Sequence, residues 1–202
     1  MTTTRPLDFK RYDSESAAEI FTSVVGPLYV ATHSDVATSE FYGAERFIKR
    51  LHNHAKAPGF ELVVVSIDGQ VIGQSYGYAL QENARWWKFL TTEVDANLTK
   101  EDGLRTFALC ELMVHPKFQG HGVAHRLHDN ILSARPESRA TLLVREDNTT
   151  ARDAYAKWGW QKIGKLQPFP DAPNFDALIL DLHTCVAGSS HLSGQADLRE
   201  VD

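Results

Sequence analysis

Apolar positions along the chain change their spacing several times, and each change predicts an element. Over residues 14–25, Ala17, Ala18, Phe21 and Val24 recur at helical spacing, with Ser14 placed to cap the helix and Gly26-Pro27 to end it. Residues 29–39 show no clear period. A second helix is predicted from 39 or 40 to 56, with Phe41, Ala44, Phe47, Ile48 and Leu51 on its buried side. Two strand-like runs, 60–67 and 70–80, flank Asp68-Gly69, a two-residue hairpin signal. Residues 82–102 read as a long loop with a helical turn, and they carry Trp86-Trp87. A strand over 105–115 stops at Pro116, and a helix over 122–133 follows. A short strand over 140–145 leads to a helix over 148–158, which Asn148 is placed to cap and Gly159 to end. Strands over 160–166 and 177–182 close the pattern. Residues 1–8 read as a loose lead-in, and 184–202, with little apolar periodicity, as a flexible tail beyond a single domain at 1–183.

The strand–helix–strand run in the middle predicts a parallel strand pair joined by a crossover helix. Ligands on such units collect beyond the strand C-termini, at helix N-termini. Composition narrows the class. Of 202 residues, 43% are hydrophobic and 23% charged, as in a soluble globular domain. No apolar run reaches the roughly 18–20 residues that span a bilayer, and the polar N-terminus lacks a signal-peptide pattern. The expectation is a cytoplasmic protein with no membrane partner. A net charge of −5 argues against a nucleic-acid partner. Cys110 and Cys185 form neither a disulfide framework nor a metal pair.

The segment with chemistry is Glu111-Leu-Met-Val-His-Pro-Lys-Phe-Gln-Gly-His-Gly-Val-Ala124. A strand ends, glycines follow at 120 and 122, and a helix begins. Glycines let the backbone approach a ligand, and a helix N-terminus presents N–H groups and partial positive charge. Such a loop is a pyrophosphate cradle, or a turn whose glycines serve packing alone. The motif Gln119-x-x-Gly122-x-Ala124 resembles the acetyl-CoA site of the GNAT superfamily of N-acetyltransferases. A second block, Asn148-Thr-Thr-Ala151-Arg-Asp-Ala-Tyr155-Ala-Lys-Trp-Gly159-Trp160, is similar to the family's Asn-x-x-Ala-x-x-x-Tyr-x-x-x-Gly-Phe, with tryptophan in the last place. The resemblance extends from about Lys10 to Leu182. It implies a mixed α/β fold, with a central twisted sheet of about six to seven strands, splayed in the middle and flanked by helices.

The resemblance also implies roles. Acetyl-CoA would be the co-substrate, with no metal. Backbone groups of Leu112, Met113 and Val114 would bind pantetheine, and the Val114 N–H is a candidate oxyanion donor. Gln119, Gly120, His121, Gly122, Val123 and Ala124 would hold the pyrophosphate. Tyr155 matches the family tyrosine that protonates the departing thiolate, and is otherwise a half-buried helix residue with a wet hydroxyl. Glu111 is the candidate base. Burying a carboxylate in an apolar strand is costly, and the alternatives are a polar face, an arginine partner, or proton loss straight to water. Asn148 either touches the cofactor or caps its helix. His121, His125 and His128 share one helix side at a spacing that can bind metal, but His121 belongs to the phosphate loop and no metal is expected. His52 and His54 are expected at the surface. Acceptor contacts are expected from Tyr29, His33, Trp86 and Phe169, with Asp35 or Asp171 available to a cationic amine. The expected acceptor is a small-molecule amine, in a detoxification or antibiotic-resistance role. A protein or peptide amine, and a non-catalytic acyl-CoA-binding module, are the alternatives. A homodimer is compatible with all three.

Overall fold

A computed structural model of the chain describes residues 6–34 and 40–183. Asp35, Cys185 and the tail at 184–202 lie outside the described residues. The elements are β1 (Asp8–Tyr12), α1 (Ser14–Ala18), α2 (Gly26–Thr32), α3 (Ala44–His54), β2 (Glu61–Ile67), β3 (Gln70–Ala79), α4 (Ala96–Thr99), β4 (Thr106–Val114), α5 (Val123–Leu132), β5 (Arg139–Arg145), α6 (Thr149–Lys157), β6 (Gln161–Leu166) and β7 (Phe175–Asp181). They form a mixed α/β fold around a seven-stranded open sheet, ordered β1-β2-β3-β4-β5-β7-β6.

The chain divides into two compact units, with the boundary inside β4 between Cys110 and Glu111. Among the described residues, the first unit takes in 6–34, 40–78 and 111–134. Its sheet begins with β1, antiparallel to β2, which is antiparallel to β3. The β2–β3 hairpin turns at Asp68 and Gly69, both at positive φ (50° and 79°), as a tight two-residue turn requires. Phe21, Phe47, Leu51, Leu62, Val63, Ile72, Tyr76, Leu127 and Ile131 are buried in this unit.

The start of this unit departs from the sequence expectation. Asp8–Tyr12 is a strand, not a loose lead-in. Its side chains are exposed or half-buried, so no apolar alternation marks it, and it is held by backbone pairing with β2 and by an Arg11–Glu61 ion pair. The helix expected over 14–25 is not continuous. Asp13, not Ser14, caps α1, accepting from the Ser16 N–H at 2.9 Å. A π-helical turn then spans Phe21–Val25 and runs into α2 without a stop. Gly26-Pro27 therefore starts a helix where it was expected to end one. Pro27 falls in the first turn of α2, where its fixed φ suits the helix.

The second unit takes in 79–110 and 135–183. Here β4 and β5 run parallel, pairing Thr106↔Arg139, Phe107↔Ala140 and Ala108↔Thr141 at the beginnings of both strands. The strands continue past these pairs, to Val114 and Arg145. The antiparallel strand β7 joins β5 over its whole length and carries β6 on its other side. The expected loop at 82–102 holds a 3-10 turn at Trp86–Phe89 and the short α4.

A buried polar clasp ties this unit together. Arg139 Nη2 lies 3.0 Å from Glu101 Oε1, and the Trp87 indole N–H donates to the same oxygen at 2.8 Å. Arg139 also donates to Thr106 Oγ1 at 2.8 Å and to the Leu98 carbonyl at 2.7 Å. The charged partners are 7% and 4% exposed, so removing one leaves the other unpaired in a dry interior. Arg139→Met is expected to cost about 3–5 kcal/mol. The double variant Arg139→Met/Glu101→Leu should recover most of that loss. Urea unfolding midpoints of the three proteins check both statements.

Candidate active site

Alternation along β4 puts Glu111 and Met113 on one face and Leu112 and Val114 on the other. The first face meets α2 and α3. Arg50 of α3 brings Nη2 to 3.4 Å from Glu111 Oε1, with both side chains partly exposed, at 23% and 18%. The Thr32 hydroxyl of α2 donates to the Met113 sulfur at 3.2 Å. On β3, alternation gives Gln74, Tyr76 and Tyr78 a common face. His54 of α3 contacts both Tyr76 and Tyr78, with ring centroids 5.9 and 5.0 Å away, so this face also looks toward α3.

Aromatic rings surround the ion pair. Tyr29 is 1% exposed and stacks between Phe47 (3.8 Å) and His33 (4.1 Å), and His33 stacks on Tyr42. The Arg50 guanidinium lies 5.7 Å from the Phe41 ring and 5.6 Å from the Phe47 ring. Burial, and then the Glu111 charge, push the Tyr29 phenol up to about 12, against the pull of Arg50. Desolvation weakens the hold of Arg50 on its proton, but Glu111, Tyr76 and Tyr29 more than offset this and its pKa is raised. Burial, and then the Arg50 charge, push the His54 imidazole down to about 4. His54 is thus half-buried beside two tyrosines, not a surface residue as expected; His52 is exposed.

The strand delivers the chain to the glycine loop. Gln119 Nε2 donates to the Val114 carbonyl at 2.9 Å, so this side chain braces the loop against the strand end. His121 Nδ1 lies 2.8 Å from the Gln119 carbonyl oxygen. Gly120 and Gly122 take positive φ (78° and 76°), and nothing lies within 4 Å of where a Cβ would stand on either. Gly122 begins α5 with no side-chain cap, and the first turn of α5 carries no acidic residue. Val123 is buried and Ala124 half-buried. The free space and uncapped backbone N–H groups suit an anion such as a pyrophosphate.

Further along α5, His125, His128 and Asp129 place ligand-type atoms within 4.8 Å of one another, and His128 Nδ1 already lies 2.9 Å from Asp129 Oδ1. His121 is not part of this group.

Other expected site residues lie in the second unit. Tyr155 is half-buried on α6, edge-on to Trp158 (5.5 Å) and Trp160 (5.8 Å). Asn148 caps α6, its Oδ1 accepting from the Ala151 N–H at 3.1 Å. Trp86 is half-buried and edge-on to Trp87, while Phe169 and Asp171 are exposed. Of the expected acceptor contacts, Tyr29 and His33 are therefore gathered near Glu111, and Trp86 and Phe169 belong to the other unit.

The family model for the acetyltransferase (GNAT) domain matches residues 29–169. The chain belongs to the GNAT acetyltransferase family. Solved structures with the same fold include an acetyltransferase from Thermus thermophilus, with a TM-score of 0.60 at 12% identity over 89% of this chain and 98% of that one. Another is Ard1 from Thermoplasma volcanium, with a TM-score of 0.58 at 18% identity over 87% and 97%. A third is a GNAT family acetyltransferase from Elizabethkingia anophelis with acetyl-CoA bound, with a TM-score of 0.55 at 14% identity over 87% and 97%. A comparison with curated proteins found no match. Among the described residues, no helix is long and apolar enough to cross a membrane.

Arg50, Gln74, Tyr76 and His54 were not singled out by the sequence. The spacing of Phe47, Arg50 and His54 on one helix face carried a signal, as did a glutamine between Ile72 and Tyr76 on a core strand.

The depressed His54 pKa has a pH consequence. The unfolded imidazole titrates near 6.5 and the folded one near 4, so between these values the unfolded chain binds more protons. The His54 contribution is complete above pH 6.5 and is lost as pH falls toward 4, at up to about 1.4 kcal/mol per pH unit. His54→Gln should lose less stability than the unsubstituted protein between pH 7 and pH 5, as compared by urea midpoints.

Proposed function

We propose that this GNAT chain transfers the acetyl group of acetyl-CoA to a primary amine of a small molecule, in a cytoplasmic setting. The observation that carries the reading is the β4–loop–α5 junction, with two glycines at positive φ, open space above them and a helix start free of side-chain caps and acidic residues. Gln119–Ala124 would hold the pyrophosphate by backbone N–H groups, and the backbone of Leu112–Val114 the pantetheine arm.

The acceptor amine loses a proton to Glu111 and attacks the thioester carbonyl. A C–N bond forms, the C–S bond breaks, the departing thiolate takes a proton from Tyr155, and the tyrosinate takes up the second amine proton. The Val114 N–H would steady the oxyanion. Glu111 suits the base role because its carboxylate is partly exposed, in the half-buried stretch of a strand whose ends are buried, and makes a single, long contact with Arg50.

A free-CoA release assay against a broad amine panel tests the reading. Turnover with at least one amine supports it. Tight acetyl-CoA binding without CoA release would instead mark a non-catalytic acyl-CoA-binding protein. Tyr155→Phe should lower kcat roughly 100-fold with acetyl-CoA affinity retained, and unchanged turnover would remove its acid role. Gly122→Val should weaken acetyl-CoA binding at least tenfold by calorimetry, since a β-branched residue resists positive φ and fills the open space.

A further inference from the structure

The ion pair near the middle of β4 is incomplete in a way that points to a ligand. Arg50 touches Glu111 through one nitrogen and one oxygen, at 3.4 Å, although a guanidinium can grip a carboxylate with two parallel bonds. Both side chains keep some exposure. Arg46, one turn earlier on α3, places its guanidinium 5.1 Å from the same Phe41 ring that Arg50 faces.

Gln74 supplies a second, independent observation. It is 1% exposed, and neither its amide nitrogen nor its amide oxygen has a hydrogen-bond partner. A buried, unpaired carboxamide costs about 1–3 kcal/mol, so it persists where something else completes it. Alternation puts Gln74 on the face of Tyr76 and Tyr78, which His54 of α3 touches. A carboxamide N–H and a guanidinium fork are both donors, and both suit a carboxylate.

We propose that the acceptor is an amino acid, with amine and carboxylate no more than two carbons apart, and that Arg50 and Gln74 receive its carboxylate. This rests on the N-acetyltransferase reading above. The incoming carboxylate takes the place of Glu111 on Arg50. Glu111, released, accepts one proton of the neighbouring ammonium, the neutral amine forms the C–N bond as the thioester C–S bond breaks, the second amine proton ends on the departing thiolate, and the first later leaves Glu111 for water. The 3.4 Å between Arg50 and Glu111 sets the short spacing, because one acceptor must reach both at once. Arg50 remains a cation throughout, held so by Glu111 and the tyrosines.

The test needs first only the unsubstituted protein. CoA release is measured with the common amino acids and, for each, the matching carboxamide and decarboxylated amine, with rates compared per neutral amine. The expected result is a kcat/KM at least tenfold higher for the carboxylate-bearing member of any accepted set. Equal or better rates with carboxamides or simple amines overturn the inference while leaving the N-acetyltransferase reading intact. No CoA release from any member overturns the inference, and the N-acetyltransferase reading falls with it only if the broad amine panel is inert as well. In Arg50→Met the ratio of carboxylate to carboxamide rates should collapse toward one, with Arg50→Lys between, and an unchanged ratio counts against Arg50. Gln74→Leu should leave stability equal or raised, because an unpaired amide is removed, yet raise the KM for the amino acid at least fivefold. A KM that does not move removes Gln74 from the site.

Discussion

A carboxylate in the middle of a core strand is tolerated only when an opposite charge reaches it, and Glu111 sets this condition for the first unit. Both ends of its strand are deeply buried, with Phe107 and Ala108 fully covered and Met113 and Val114 nearly so, while Cys110 and Leu112 beside it are half-buried. Arg50 meets the condition, and this fixes which side of α3 faces β4. The guanidinium in turn needs neighbours that accept a cation, and Phe41, Phe47, Tyr29 and Tyr76 supply ring faces and phenols. The charge of Arg50 then helps keep His54 neutral, and that of Glu111 helps keep Tyr29 protonated. One half-buried ion pair thus orders the protonation states of the groups around it.

The same strand carries two kinds of chemistry at different positions. Side chains at 111 and 113 face α2 and α3, and the chain then leaves β4 through a brace, from Gln119 to the Val114 carbonyl, into a loop of positive-φ glycines. Backbone donors at the start of α5 thereby stand a fixed number of residues beyond the carboxylate. That economy explains why a short segment is so informative: position along β4 sets the carboxylate, and the turn after it sets the uncapped helix start. The groups of the second unit rest on different supports. Tyr155 is framed by Trp158 and Trp160, and its helix is tied to β7 by Arg152, 2.9 Å from the buried Asp176.

The parts legible in the sequence are those whose signal is local. Asp68-Gly69 turned a hairpin because few other residue pairs accept positive φ twice. Asn148 capped α6 because its side chain reaches a backbone N–H three residues on. The glycines at 120 and 122, set between a strand end and a helix, marked a turn, and both take positive φ. The lead-in was misjudged for the complementary reason: β1 has no apolar alternation of its own and is a strand only because β2 offers it an edge. Gly26-Pro27 looked like a stop by composition, while the preceding π-helical turn carried the helix through it.

Sequence by itself determined the order of elements from the β2–β3 hairpin onward, the parallel crossover, the glycine loop and, through two motifs, the GNAT family. These depend on residues close together along the chain, where period, capping and φ preference act directly. Tertiary structure alone decided what surrounds Glu111. Arg50 comes from 61 residues earlier in the chain, on a helix whose own periodicity says nothing about β4. Charge pairing, desolvation and an amide left without a partner are properties of what meets across the fold, and no local pattern encodes them.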